Sequence, residues 1–201
     1  MALSRRFLLA SGAAGLAVSA ARPALAMADT NAGVSPALLR RALGALQKHQ
    51  DSITHRDVIA IADFSQPSRA RRFHLLDVAS GAVASHLVAH GRGSDPAHTG
   101  WLERFSNVPS SNATSAGAYR TEGFYVGGHG RSIRLSGLDA SNCNAESRAI
   151  VVHGAWYVSN EMARESGVLG RSQGCFALAN TSLDEIFAKL GPGRMIYADK
   201  V

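Results

Sequence analysis

Between residues 36 and 46 the apolar side chains Leu38, Leu39, Ala42, Leu43 and Leu46 recur at intervals of three and four. That spacing places them on one face of a helix, with Ser35 as N-cap and Pro36 in the first turn. After this segment the helical period disappears. Residues 58–64 and 73–78 are apolar, β-branched runs that predict strands, and Ser80-Gly81 predicts a turn into a strand over 82–88, so the second and third runs form a hairpin. Residues 91–123 are rich in Gly, Ser, Asn, Thr and Pro and have no period, which predicts a long irregular stretch of functional kind. Residues 132–135 alternate, 149–152 form a short continuous apolar run, and 195–198 form a last one; all three predict strands. Helices are expected over 156–165 and from Thr181, where a cap and the acids Asp184 and Glu185 precede the stop at Gly191-Pro192. The expected class is mainly β with a few helices.

The first 26 residues change how the rest is read. Arg5-Arg6, the apolar stretch 7–20 and the small-residue site Ala24-Leu25-Ala26 predict a cleaved export signal, twin-arginine-like around Ser4-Arg5-Arg6-Phe7. Residues 27–201 are then a single domain with an N-terminal helix, exported by the twin-arginine or Sec route to the periplasm or cell envelope. Cleavage removes Arg5, Arg6 and Arg22 and no acid, lowering the net charge of the 201-residue chain from +6 to +3. Such a mild surplus excludes a typical nucleic-acid binder and suits an anionic polymer. No later run is long enough to span a bilayer, so no stable membrane anchor is expected after cleavage.

Two cysteines, Cys143 and Cys175, are too few for a disulfide framework or a four-thiolate metal site, though they could pair with each other. Cys175 follows Gly174 in Gly170-Arg171-Ser172-Gln173-Gly174-Cys175-Phe176, and His153 ends the apolar run Ile150-Val151-Val152. A cysteine nucleophile needs a base within reach and main-chain N–H groups aimed at a developing oxyanion, and a preceding glycine keeps the chain uncovered. The neighbouring imidazole is expected to ionise the thiol. Ser172 has two candidate roles, orienting the imidazole or capping the turn. A zinc reading of His86, His90, His98 and His129 is weaker: His86 and His90 fall where a strand is expected, and no Glu lies between them. A non-catalytic wall-binding module leaves the Gly-Cys turn unexplained. Trp101 and Trp156 are expected as core or loop anchors.

His-Gly followed by Ser-x-Gly-Cys resembles the signature of the L,D-transpeptidases that cross-link bacterial peptidoglycan. Phe105-Ser106-Asn107, Ser115-Ala116-Gly117-Ala118-Tyr119, the run from His129 to Leu135, and Val168-Leu169-Gly170-Arg171-Ser172 are similar to the murein L,D-transpeptidase catalytic domain branch. The resemblance implies a mixed β-sandwich and an acyl-enzyme on Cys175. His153 would be the base, and the Gly174 and Cys175 N–H groups the oxyanion donors. It further implies peptidoglycan stem peptides as substrate, no cofactor or metal, and a monomer. A donor tetrapeptide would lose its terminal D-alanine, and an acceptor amine (diaminopimelate or L-alanine) or water would resolve the thioester. Arg131, Arg134 and Arg171 are candidates to hold stem carboxylates. Tyr119, His129 and Gly154 are further candidate substrate contacts. Gln173 stands where the wider family often has His and this branch an aromatic residue, and Phe176-Ala177 replaces the usual Cys-x-Arg or Cys-x-Asn continuation, so the acceptor is left open.

Overall fold

The structure, a computed structural model, describes residues 33–201; the export signal expected over 1–26 lies outside the described residues. Helix α1 (Pro36–Lys48) is followed by β1 (Val58–Asp63), β2 (Phe73–Asp77), β3 (Val83–His86), β4 (Val88–Ala89), β5 (Gly117–Gly127), β6 (Gly130–Gly137), β7 (Val151–Ala155), α2 (Asn160–Glu165), β8 (Phe176–Ala179), α3 (Leu183–Lys189) and β9 (Met195–Asp199). All nine strands belong to one sheet in the order β3-β2-β1-β9-β5-β6-β7-β8-β4. The β1–β9 and β7–β8 pairs are parallel and the rest antiparallel, so the sheet is mixed. The fold is mainly β, as expected.

The sheet folds over on itself. Phe73 in β2 and Phe176 in β8 stand six strands apart in the order, yet their rings lie 6.4 Å apart. Both belong to one buried cluster with Phe64, Tyr119, Ile133, Val152 and Ile196, filled from nearly every strand. This interior is the sandwich core. Two further clusters cover outer faces. Leu38, Leu39, Ala42 and Leu46 of α1 pack on Ile59, Ile61, Ala118 and Met195, while Val158 and Leu169 pack on Ala177 and Ala179 of β8. The end of α1 is tied down by Asp139, which accepts from Lys48 Nζ at 2.6 Å and lies 3.0 Å from His49 Nε2.

Several boundaries differ from the sequence expectation. Ser35 is the N-cap of α1 but makes no side-chain cap bond. The expected strand 82–88 breaks at Leu87 into β3, which pairs with β2, and β4, which pairs with β8. The irregular stretch ends at Ala116, because β5, an eleven-residue strand, begins at Gly117. Its alternation was hidden by glycines and by a register shift between Thr121 and Phe124. The helix expected over 156–165 spans only Asn160–Glu165, since Ser159 caps it by accepting from Met162 N at 3.1 Å. Trp156 therefore stands on a turn, 79% exposed, and Trp101 is also exposed; neither is a core anchor.

Candidate active site

β7 and β8 carry the two motif residues side by side. Val152 is in register with Phe176 and His153 with Ala177. Cys175, the residue before β8, thus falls opposite Val151. Because side chains alternate along a strand, Cys175 and His153 face the same side as diagonal neighbours. Both line a cleft of ≈ 770 Å³, together with His129, Arg148, Ala149, Tyr157, Arg171, Ser172 and Gln173. Both cysteines are free thiols, so a disulfide between them is not formed.

The loop that presents the sulfur is built from short-range bonds. Ser172 Oγ donates to the Cys175 carbonyl at 2.7 Å and accepts from Gly174 N–H at 3.1 Å. Ser172 therefore caps the turn rather than orienting the imidazole. Its backbone is fastened to the neighbouring segment, with Ser172 N donating to His90 O at 3.0 Å and Arg92 N donating to Ser172 O at 2.8 Å. Gly174 has φ +118°, and a β-carbon there would lie 2.7 Å from Ala113 O, so both conformation and space require glycine. With Gly174 N–H occupied by Ser172, Cys175 N–H is the main-chain donor left for an oxyanion.

His153 is held by its own neighbour. Its Nδ1 lies 2.8 Å from Gly154 O. A carbonyl only accepts, so Nδ1 carries the proton and Nε2 is the basic nitrogen. Gly154 is a support rather than a substrate contact: it is buried, and a β-carbon there would strike Asn180 Oδ1 at 2.2 Å. On the other side His129, at the tip of the β5–β6 hairpin, stacks on His153 with centroids 4.2 Å apart and planes 20° apart.

Burial governs the protonation of the pair. It pushes the His153 imidazole down; the Gly154 carbonyl opposes this and the neighbouring His129 adds to it. It pushes the Cys175 thiol up, against the Val151 N–H, the Arg148 guanidinium and the residue's own N–H. Both directions favour a neutral thiol beside a neutral imidazole. These directions run against the expected ionisation of the thiol by its imidazole, and Sγ makes its hydrogen bond to Ala149 O at 3.6 Å. Ala149 presents that carbonyl from φ +51°, a left-handed conformation rare for alanine.

The remaining candidates are dispersed. Arg171 lines the cleft, with Nη1 on the carbonyls of Asp95 and Pro96. Arg131 lies over the rings of Phe124 and Phe187 and 3.7 Å from Asp184, and Arg134 lies over Tyr125; neither lines the cleft. Tyr119 is fully buried in the core with its hydroxyl donating to Ser115 O at 2.8 Å, a packing residue. The four histidines of the zinc reading have separate neighbours: Glu185 for His86, Arg72 and Asp95 for His90, Leu169 O for His98, and His153 for His129. Arg148 was missed. Its partners are Ser106 O, Ser115 Oγ and Ala113 O, all more than thirty residues away, so no local pattern marks it.

No curated protein matches the chain. Among solved structures, an L,D-transpeptidase from Mycobacterium smegmatis is 14% identical, with a TM-score of 0.43 over 71% of this chain and 58% of that one. L,D-transpeptidase 3 from Mycobacterium tuberculosis is 15% identical, with a TM-score of 0.42 over 71% and 61%. This chain thus spans less than two thirds of the length of either. The L,D-transpeptidase catalytic domain family matches residues 30–198, nearly all of the region just described. The chain belongs to the L,D-transpeptidase catalytic domain family.

Proposed function

We propose that the protein is a peptidoglycan L,D-transpeptidase of the periplasm, acting as a monomer on stem peptides without cofactor or metal. Cys175 Sγ attacks the diaminopimelate carbonyl of a donor tetrapeptide while His153 Nε2 takes the thiol proton. Cys175 N–H stabilises the oxyanion. His153 then returns the proton to the departing D-alanine amine. An acceptor amine attacks the thioester carbonyl and loses its proton to His153, the C–S bond breaks, and Cys175 leaves as a thiolate that takes the proton back, giving a diaminopimelate–diaminopimelate or L-alanine–diaminopimelate bond. The observation that carries this reading is the pairing of Cys175 and His153 on adjacent parallel strands, facing one open cleft, with Nδ1–H already committed to Gly154 O.

Incubation of purified protein with disaccharide-tetrapeptide tests it. Mass spectrometry is expected to show release of D-alanine and a cross-linked dimer, both abolished in Cys175→Ala. Disaccharide-tripeptide in place of dimer would make the enzyme an L,D-carboxypeptidase. Release undiminished in Cys175→Ala would overturn the nucleophile, and no release at all would leave a wall-binding module.

A further inference from the structure

Arg148 precedes β7 and reaches into the floor of the cleft. Its Nη1 donates to Ser106 O at 2.8 Å and Ser115 Oγ at 2.7 Å, and its Nη2 donates to Ala113 O. Every one of these acceptors is neutral. Among the described residues Arg148 has no ion pair with a carboxylate. A partly buried guanidinium bound only to neutral oxygens keeps its charge uncompensated by the protein.

Two ionisable groups lie near enough to act on that charge electrostatically, the Tyr119 phenol and the Cys175 thiol, which shares the cleft lining with Arg148. Tyr119 is pushed well above its ordinary range by burial and stays neutral. Cys175 is thus the one of the two that becomes an anion during reaction. The approach is close: Arg148 Nη2 lies 3.1 Å from where a β-carbon on Gly174 would sit, one residue before the nucleophile. The other titratable groups around the sulfur are His153 on β7, His129 at the hairpin tip, and Tyr157 and Arg171 in the cleft wall. Arg171 is turned onto the carbonyls of Asp95 and Pro96.

The geometry points to Arg148 as the counter-ion of the Cys175 thiolate, a positioning residue that makes proton transfer to His153 less costly. It rests on Cys175 being the nucleophile. The guanidinium has a second task, because the same three bonds staple residues 106–115, which carry the cleft-lining Pro109, Ser110 and Asn112. The two tasks separate experimentally, since a lysine keeps the charge but loses the planar fork.

The test is the pH dependence of alkylation by iodoacetamide in a Cys143→Ser background, where Cys175 is the sole thiol. In Arg148→Gln the midpoint is expected to rise by about one pH unit, slowing alkylation about tenfold below it. Arg148→Lys is expected to recover most of that shift, and Ser115→Ala, which removes one anchor but no charge, to keep the parent midpoint. An unchanged midpoint in Arg148→Gln, or an equal shift in all three variants, would overturn the assignment. Should Arg148→Gln not melt cooperatively, the chain with Arg148 and both cysteines intact carries the test, each thiol followed by the mass of its own peptide. Cys175 is expected to favour anionic iodoacetate over iodoacetamide relative to Cys143, and to do so still in Arg171→Gln. A preference no greater than that of Cys143, or one lost in Arg171→Gln, would overturn it. Neither readout needs turnover, so failure here is distinct from failure to transfer stem peptides.

Discussion

Arg72 and Arg148 are both drawn into the protein, and their surroundings differ in kind. Arg72 is fully buried behind the nucleophile loop. It donates to Val88 O, to Gln66 O at 2.8 Å and to His90 Nδ1 at 2.7 Å, and it lies over the Phe64 ring. Asp63 and Asp95 oppose its charge, and burial still pushes it down to about 9. Because arginine only donates, His90 Nδ1 accepts, and its Nε2–H points to Asp95 Oδ2 at 3.3 Å. His90 in turn accepts Ser172 N–H through its own carbonyl. This closed set of charges and bonds holds still the segment on which the Ser172–Cys175 turn rests. Arg148 borders the same turn from the cleft side with neutral partners only. A compensated charge organises the scaffold, whereas a charge left open awaits an anion.

The sharpest way to break the comparison is to remove each cation. Arg72→Met strands Asp63 and Asp95 in the interior and is expected to cost about 3–5 kcal/mol in thermal or urea unfolding. The fraction still folded is expected to keep the parental alkylation midpoint of Cys175. A midpoint displaced as in Arg148→Gln would erase the distinction.

His90 sharpens the scaffold side through pH. Burial, aided by Arg72, lowers its imidazole to about 4, against about 6.5 in an unfolded chain. The fold therefore prefers the neutral ring, and the unfolded chain binds the extra proton. The contribution is fully present above pH ~6.5 and drains away as pH falls toward ~4, on the order of 3 kcal/mol across that window. His74, His86 and His153 are pushed the same way, so His90→Gln is expected to flatten the fall in stability without abolishing it. Unfolding midpoints from pH 7 to pH 4 check this, and parallel curves for the two proteins would count against it.

The smallest effect concerns the cleft side. His153 acts as a base only when neutral, and its lowered pKa keeps it neutral into more acid solution. The acid limb of kcat/KM is expected below the ordinary imidazole value of ~6.5. His129→Ala removes one group that lowers His153 while unstacking the ring, and is expected to move that limb upward by a few tenths of a pH unit. A limb moving down would show that the hairpin tip acts on something other than the imidazole.

The division between what was legible in the sequence and what was not follows the same two regions. The strands β1, β2 and β7 announce themselves because both of their faces are buried, which leaves uninterrupted apolar runs. The Cys175 turn and His153 after its apolar run were readable from local chemistry, although β7 runs on past His153 to Ala155. β5 was not, since Gly117, Gly123 and a bulge break its alternation. Nor was the start of α2, where Trp156, Tyr157 and Val158 mimic a helical face ahead of the Ser159 cap. The substrate arginines were read by charge alone, and Arg131 and Arg134 instead lie over aromatic rings. Arg148 became visible only when the fold brought residues 106–115 against it.

The central claim is a thioester on one sulfur, made by one imidazole. Purified protein mixed with donor tetrapeptide in the absence of acceptor, quenched in acid and digested, tests it by peptide mass. The account predicts a stem-peptide adduct lacking D-alanine on the Cys175 peptide, greatly diminished in His153→Gln and absent from the Cys143 peptide. An adduct on another residue, or one formed equally well without His153, would contradict it.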